Sequence, residues 1–201
     1  MGILISVLVF FSAIVVHEFS HAFVAYKRGD MTAARSGRLT LNPLAHIDPF
    51  GTILLPIFLI FVRSPVLFGW AKPVPIDFSA LKNPKKDIIW VGLAGPAANL
   101  LLALLATLIV KSGVIVGATM TRIAGHVILV NVILAVFNLI PIPPLDGSRI
   151  VMGLLPAPLA VRYATIERYG FIILFALLYL RLFDVIIWPV VDGIIHILSL
   201  I

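Results

Sequence analysis

From Ile3 to Tyr26 the chain is an apolar run interrupted only by His17, Glu18 and His21. At about 1.5 Å per residue, a helix of this length is long enough to cross the hydrocarbon core of a bilayer. Ile88–Val110 predicts a second clear span, with Trp90 near one interface and Lys111 at the other end, and Ile123–Ile140 predicts a return span carrying His126, Asn131 and Asn138. Tyr163–Leu182 and Val185–Leu200, separated by Asp184, predict a closing helical hairpin within residues 160–201.

The stretch between the first two spans follows a different pattern. Ala33–Asn42 sets Arg35, Arg38 and Thr40 among small and apolar residues, a weak strand signal, and Asn42-Pro43 marks a turn. Phe50–Val62 is apolar but short for a span and contains Pro56; after Arg63–Pro65 the chain is apolar again up to Trp70. Gly69–Ile76, with Pro73 and Pro75, cannot form a regular helix and is expected to run extended. At membrane depth such backbone is tolerated only where protein or a cavity covers it, and it offers an edge for another strand. The fold expected is an all-α polytopic membrane protein, a bundle of about five or six transmembrane or re-entrant helical segments with a small extended or β element before Ile88–Val110. One domain is expected over residues 1–201, with a core at 1–155.

Composition excludes a soluble domain: 61% of the 201 residues are hydrophobic, 12% are charged, and the mean hydropathy is +1.15. Met1–Phe11 lacks the basic start of a secretory signal, and its apolar stretch continues into His17, so the first segment is expected to be retained. The net charge of +6 is spread over short loops and does not point to nucleic acid. Lys27, Arg28, Arg35 and Arg38 follow the first span, and Lys82, Lys85 and Lys86 precede the next. The bias of basic loops toward the cytoplasm places the N-terminus outside and both loops inside. Ile3 to His17 rises about 21 Å, so His17 is expected past mid-membrane toward the cytoplasmic side.

His17-Glu-Phe-Ser-His21 has the ligand spacing of a zinc protease, since residues four apart share a helix face and both imidazoles can reach one ion with Glu18 beside it. Three ionisable groups within five residues of a span are costly unless they serve a function or are closely paired. With no cysteine, zinc must be held by histidine and carboxylate, and a catalytic zinc takes three protein ligands. Asp146 is the candidate for the third, because Pro141, Pro143 and Pro144 end the preceding helix at the depth of the histidines; alternatively it caps the helix that begins near Gly147. His46 and Asp48 lie in the loop after the first span and could reach the mouth of the site, while His126 and His196 read as packing residues. Arg149 could pair with Asp146 or reach for the surface.

His17–His21, the small-residue run Ala94-Gly-Pro-Ala-Ala-Asn99 and Asn138-Leu-Ile-Pro-Ile-Pro-Pro-Leu-Asp-Gly147 together resemble the site-2 protease family of intramembrane zinc metalloproteases, peptidase family M50. Asn42-Pro-Leu-Ala-His46-Ile-Asp48 and Gly69-Trp-Ala-Lys-Pro-Val-Pro75 are similar to its compact prokaryotic branch, without PDZ or CBS modules. The resemblance implies one zinc per chain on His17, His21 and Asp146, catalysis by Glu18, contact of Asn138 with substrate or the reacting carbonyl, and cleavage of transmembrane peptide segments in a multi-pass protein of the cell membrane. It says nothing of the oligomeric state. Two other classes also use intramembrane His, Glu and Asp: a metal-ion or proton carrier, and a catalytically silent membrane binding partner.

Overall fold

The computed structural model describes residues 2–62 and 71–201. The elements in order are α1 (Ile3–Lys27), α2 (Thr32–Arg35), α3 (Leu55–Phe61), α4 (Pro84–Lys111), α5 (Ala118–Asn138), α6 (Asp146–Leu154), α7 (Ala157–Ala164), α8 (Gly170–Tyr179) and α9 (Leu182–Leu200). Short 3-10 turns lie at Pro43–His46, Phe78–Ala80 and Thr165–Tyr169, and a wide π-type turn, Pro49–Leu54, leads into α3.

Three helices are long and apolar enough to cross a membrane among the described residues: Ile5–Lys27 of α1, then α4 and α5. Each is apolar nearly all round, so packing and not amphipathicity selects its inner stripe. On α4 that stripe is Ile88, Val91, Gly92, Gly95, Pro96, Asn99, Ala103 and Thr107, at helical spacing, while Leu101, Leu105 and Ile109 are exposed where lipid would lie. Because its inner residues are mostly small or polar, α4 can be approached on several sides, and it packs on α1, α5 and α6. One apolar cluster joins α4, α5 and α9 through Ala103, Val132, Val136, Ile187 and Val191. Smaller ones tie α1 to the segment between α3 and α4 through Ala22, Ala33 and Val74, and through Ala25, Leu81 and Val91.

The weak strand signal at Ala33–Asn42 is not realised. Thr32–Arg35 forms one helical turn, started where the Asp30 carboxylate accepts hydrogen bonds from Thr32 N–H and Oγ, and no strand occurs among the described residues. Residues 71–77 do run extended, as their prolines require. They are anchored from all sides: Lys72 N–H donates to His46 O, Arg38 Nη2 donates to Lys72 O (2.7 Å) and Pro73 O (3.3 Å), and Asp77 N–H donates to Asp30 (2.9 Å). Hydrogen bonds from the Ser79 hydroxyl and backbone N–H hold the exposed Asp77 carboxyl below its ordinary value. Gly69 and Trp70, which begin the stretch expected to run extended, lie outside the described residues. The closing hairpin is helical: α8 and α9 meet at Arg181, whose φ of 56° is left-handed.

Candidate metal centre

His17 and His21 lie one turn apart on the inner face of α1, 6% and 5% exposed, with their rings edge to face. Their Nδ1 atoms both point at oxygens of α4: His17 Nδ1 lies 2.6 Å from Asn99 Oδ1, and His21 Nδ1 lies 2.7 Å from the Val91 carbonyl. An oxygen that can only accept requires an N–H opposite it, so both neutral rings are protonated on Nδ1 and carry a lone pair on Nε2. Those two Nε2 atoms are 3.0 Å apart, and Asp146 Oδ2 lies 3.0 Å from one and 3.1 Å from the other.

Asp146 is brought there by the chain after α5. Leu139 to Leu145 folds in tight turns, and Gly147 passes so close that a Cβ would lie 2.2 Å from Leu139 O. α6 begins at Asp146, but Leu145 occupies the capping position and the Asp146 carboxylate faces the histidines. The capping alternative is therefore not the role the geometry gives it.

With both rings neutral, three acceptor atoms converge here with no donor between them, an arrangement that a bound cation would relieve. Three ligands at roughly 2.05 Å from a tetrahedral zinc are separated by about 3.3 Å, close to the spacing found. Gly95 makes the room, since a Cβ there would lie 2.4 Å from His21 Nε2 and 2.6 Å from His17 Nε2. Among the described residues, His17, His21 and Asp146 are the one group of three or more such side chains able to hold a metal, with ligand atoms within 4.8 Å of one another.

The centre opens into a cleft of roughly 310 Å³ lined by Glu18, Pro73, Val74, Ile76, Phe78, Asn138, Pro144 and Arg149 as well as the three metal-binding candidates. Glu18 Oε2 accepts a hydrogen bond from Val74 N–H (2.8 Å), so the extended segment forms one wall and touches the carboxylate directly. Asn138, the last residue of α5, lines the cleft and donates Nδ2–H to Leu134 O (3.0 Å). A larger hollow of about 520 Å³ between α4 and α5, lined by Ile109, Val116, Met120 and their apolar neighbours, carries no ionisable side chain.

The description Peptidase family M50 matches residues 107–180, which include Asn138 and Asp146. The protein named "Putative zinc metalloprotease YwhC" of Bacillus subtilis is 38% identical over 185 residues, 88% of this chain and 81% of its own length. The chain belongs to peptidase family M50. Rip2 of Mycolicibacterium smegmatis, which bears the same zinc-metalloprotease name, is 33% identical over 81% of this chain and 61% of its own length. Rip2 of Mycobacterium tuberculosis is 34% identical over 65% of this chain and 49% of its own. No solved structure matches. The chain is thus a zinc metalloendopeptidase and a multi-pass membrane protein.

Within this protease the structure brings His17, Glu18, His21, Asn138 and Asp146 to one cleft and leaves His46 and Asp48 outside it. His46 is fully buried, with Nε2 2.9 Å from Thr40 O and its carbonyl receiving Lys72 N–H; Asp48 accepts N–H bonds from Phe50 and Gly51 at the start of the π-type turn. Both fix the loop that carries the extended segment. Arg149 does not pair with Asp146: it makes a two-pronged ion pair with Glu167 (2.8 and 3.2 Å) and stacks over Phe78 at the mouth of the cleft. Asn99 ends the small-residue run Ala94–Asn99 and reaches His17, a contact that the sequence pattern leaves unassigned, although a carboxamide within a span is a costly residue that invites a search for its partner.

Proposed function

We propose that this protease holds one zinc ion on His17, His21 and Asp146 and cleaves peptide segments of membrane proteins within the bilayer, on the cytoplasmic side, with Glu18 as general base and acid. The observation that carries the reading is the convergence of two imidazole lone pairs and a carboxylate oxygen within 3.1 Å of one another on the inner face of a membrane-spanning helix. Zinc, when bound, supplies a Lewis acid that brings the pKa of a water toward neutrality. Glu18 follows His17 in the chain and lines the same cleft, so it accepts the proton of the attacking water and passes it to the leaving nitrogen. Asn138 has a second Nδ2–H to donate to the carbonyl oxygen as charge develops there. The residues 71–77 wall receives the substrate in extended form, which exposes a peptide bond that a helix would cover.

The purified chain, incubated with a panel of single-span membrane peptides, should cleave at least one of them, and Glu18→Gln should keep stoichiometric zinc while losing at least about 100-fold in rate. A metal-ion carrier or a silent binding partner would cleave none. Undiminished cleavage by Glu18→Gln would remove Glu18 from the mechanism.

A further inference from the structure

His17 is not held by α1 alone. Its Nδ1 meets Asn99 Oδ1 at 2.6 Å; Asn99 Nδ2 donates to Asn131 Oδ1 at 2.8 Å and to Ala13 O at 3.2 Å; Asn131 Nδ2 donates to Val127 O at 2.9 Å. Asn99 is 0% and Asn131 2% exposed, so the chain of amides runs through buried protein across α1, α4 and α5.

The order of donors along this chain is forced from its far end. Val127 O can only accept, which turns Asn131 Nδ2 toward it and leaves Oδ1 facing α4. Asn131 Oδ1 and Ala13 O both demand donors, which turns Asn99 Nδ2 toward them and leaves Asn99 Oδ1 facing His17. His17 must then carry its proton on Nδ1 and present the Nε2 lone pair to Asp146 and His21. A carboxamide inside a span makes strong demands on its surroundings, and here each one is answered by an atom that fixes the next.

We propose that Asn99 and Asn131 are positioning residues of the protease: together they lock the tautomer and ring orientation of His17, so that its Nε2 is a preformed metal ligand before any ion arrives. This rests on the reading of His17 as a zinc ligand. Partners of this kind on ligating histidines change metal affinity by about 10–100-fold. Asn131 does not line the cleft, and its side chain bonds Asn99 and Val127 O, so its contribution reaches the metal through Asn99.

The test is the zinc dissociation constant of the full-length chain in detergent, measured by chelator competition in the Glu18→Gln background. Asn99→Leu should weaken zinc binding by about 10–100-fold, and Asn99→Asp, which keeps an acceptor on His17 Nδ1 but gives up the donor to Asn131 and Ala13 O, should bind zinc more tightly than Asn99→Leu does. A merely structural amide gives a different result: both variants lower the melting temperature of the zinc-free protein and neither changes the affinity of the folded fraction, which overturns the proposal. Should Asn99→Leu fail to fold, Asn131→Leu leaves Asn99 in place and should still weaken zinc. In the zinc-free Asn131→Leu protein, His17 should also show mixed Nδ1 and Nε2 tautomers in histidine ¹⁵N spectra, whereas a single tautomer with unchanged affinity overturns the relay. His17→Ala retaining full zinc would instead overturn the ligand assignment, so the two failures are separable.

Discussion

A glycine decides whether the two histidines of α1 can share an ion. The four-residue spacing of His17 and His21 was legible because helical periodicity alone sets it, and Asp146 was legible because three prolines upstream forbid helix at that depth. What spacing could not show is that α4 must pass within van der Waals contact of both rings, with only hydrogen at Gly95. Gly95→Ala should displace at least one imidazole, because the added carbon would lie within 2.6 Å of both Nε2 atoms. We expect a zinc affinity at least about tenfold weaker. Chelator competition checks this, and tight zinc binding by a folded Gly95→Ala would show that α1 and α4 can separate at no cost. Asp146→Ala should likewise lose stoichiometric zinc, measured by metal analysis of the purified protein, because no capping function remains to explain that carboxylate.

At the scale of elements, the segment before α4 was read correctly where proline rules it and incorrectly where propensity did. Pro73 and Pro75 made residues 71–77 extended whatever surrounded them, whereas Ala33–Asn42 had only weak alternation, and the Asp30 carboxylate bonding Thr32 was enough to start a helical turn there. Arg38 then acquires a role that no local pattern shows. It is 8% exposed, and its guanidinium holds two consecutive carbonyls of the extended segment, Lys72 O and Pro73 O. Charge-assisted hydrogen bonds contribute about 1.5–3 kcal/mol each to local order. Arg38→Ala should therefore loosen the wall of the cleft without touching the metal: zinc remains stoichiometric, hydrogen exchange at Val74 and Ile76 accelerates, and cleavage falls. Unchanged exchange at Val74 would mean that Glu18 and the apolar contacts to Ala22 and Ala33 hold the segment unaided.

For the whole molecule, the three spans among the described residues and the charges of their connections predict a sidedness. α1 and α4 are joined by a connection rich in Lys and Arg, and α4 and α5 by the short apolar Ser112–Gly117, whose nearest charges are Lys111 and Arg122. Lys111 Nζ donates to Ser199 O near the end of α9, so the far ends of α4 and α9 share one level. The metal centre lies at the other end of α4, beside Val91 and Gly95, on the side of the basic connection and of α6. Because the excess of basic residues faces the cytoplasm, the centre should open to that side, with the N-terminus and Ser112–Gly117 outside. Single cysteines suit this test, since the chain has none of its own. In intact cells, Val116→Cys, an exposed position, should react with a membrane-impermeant maleimide, and Arg35→Cys should react only after the membrane is opened. The reverse pattern would turn the molecule over, moving the cleft, its substrate wall and the products of cleavage to the outer face.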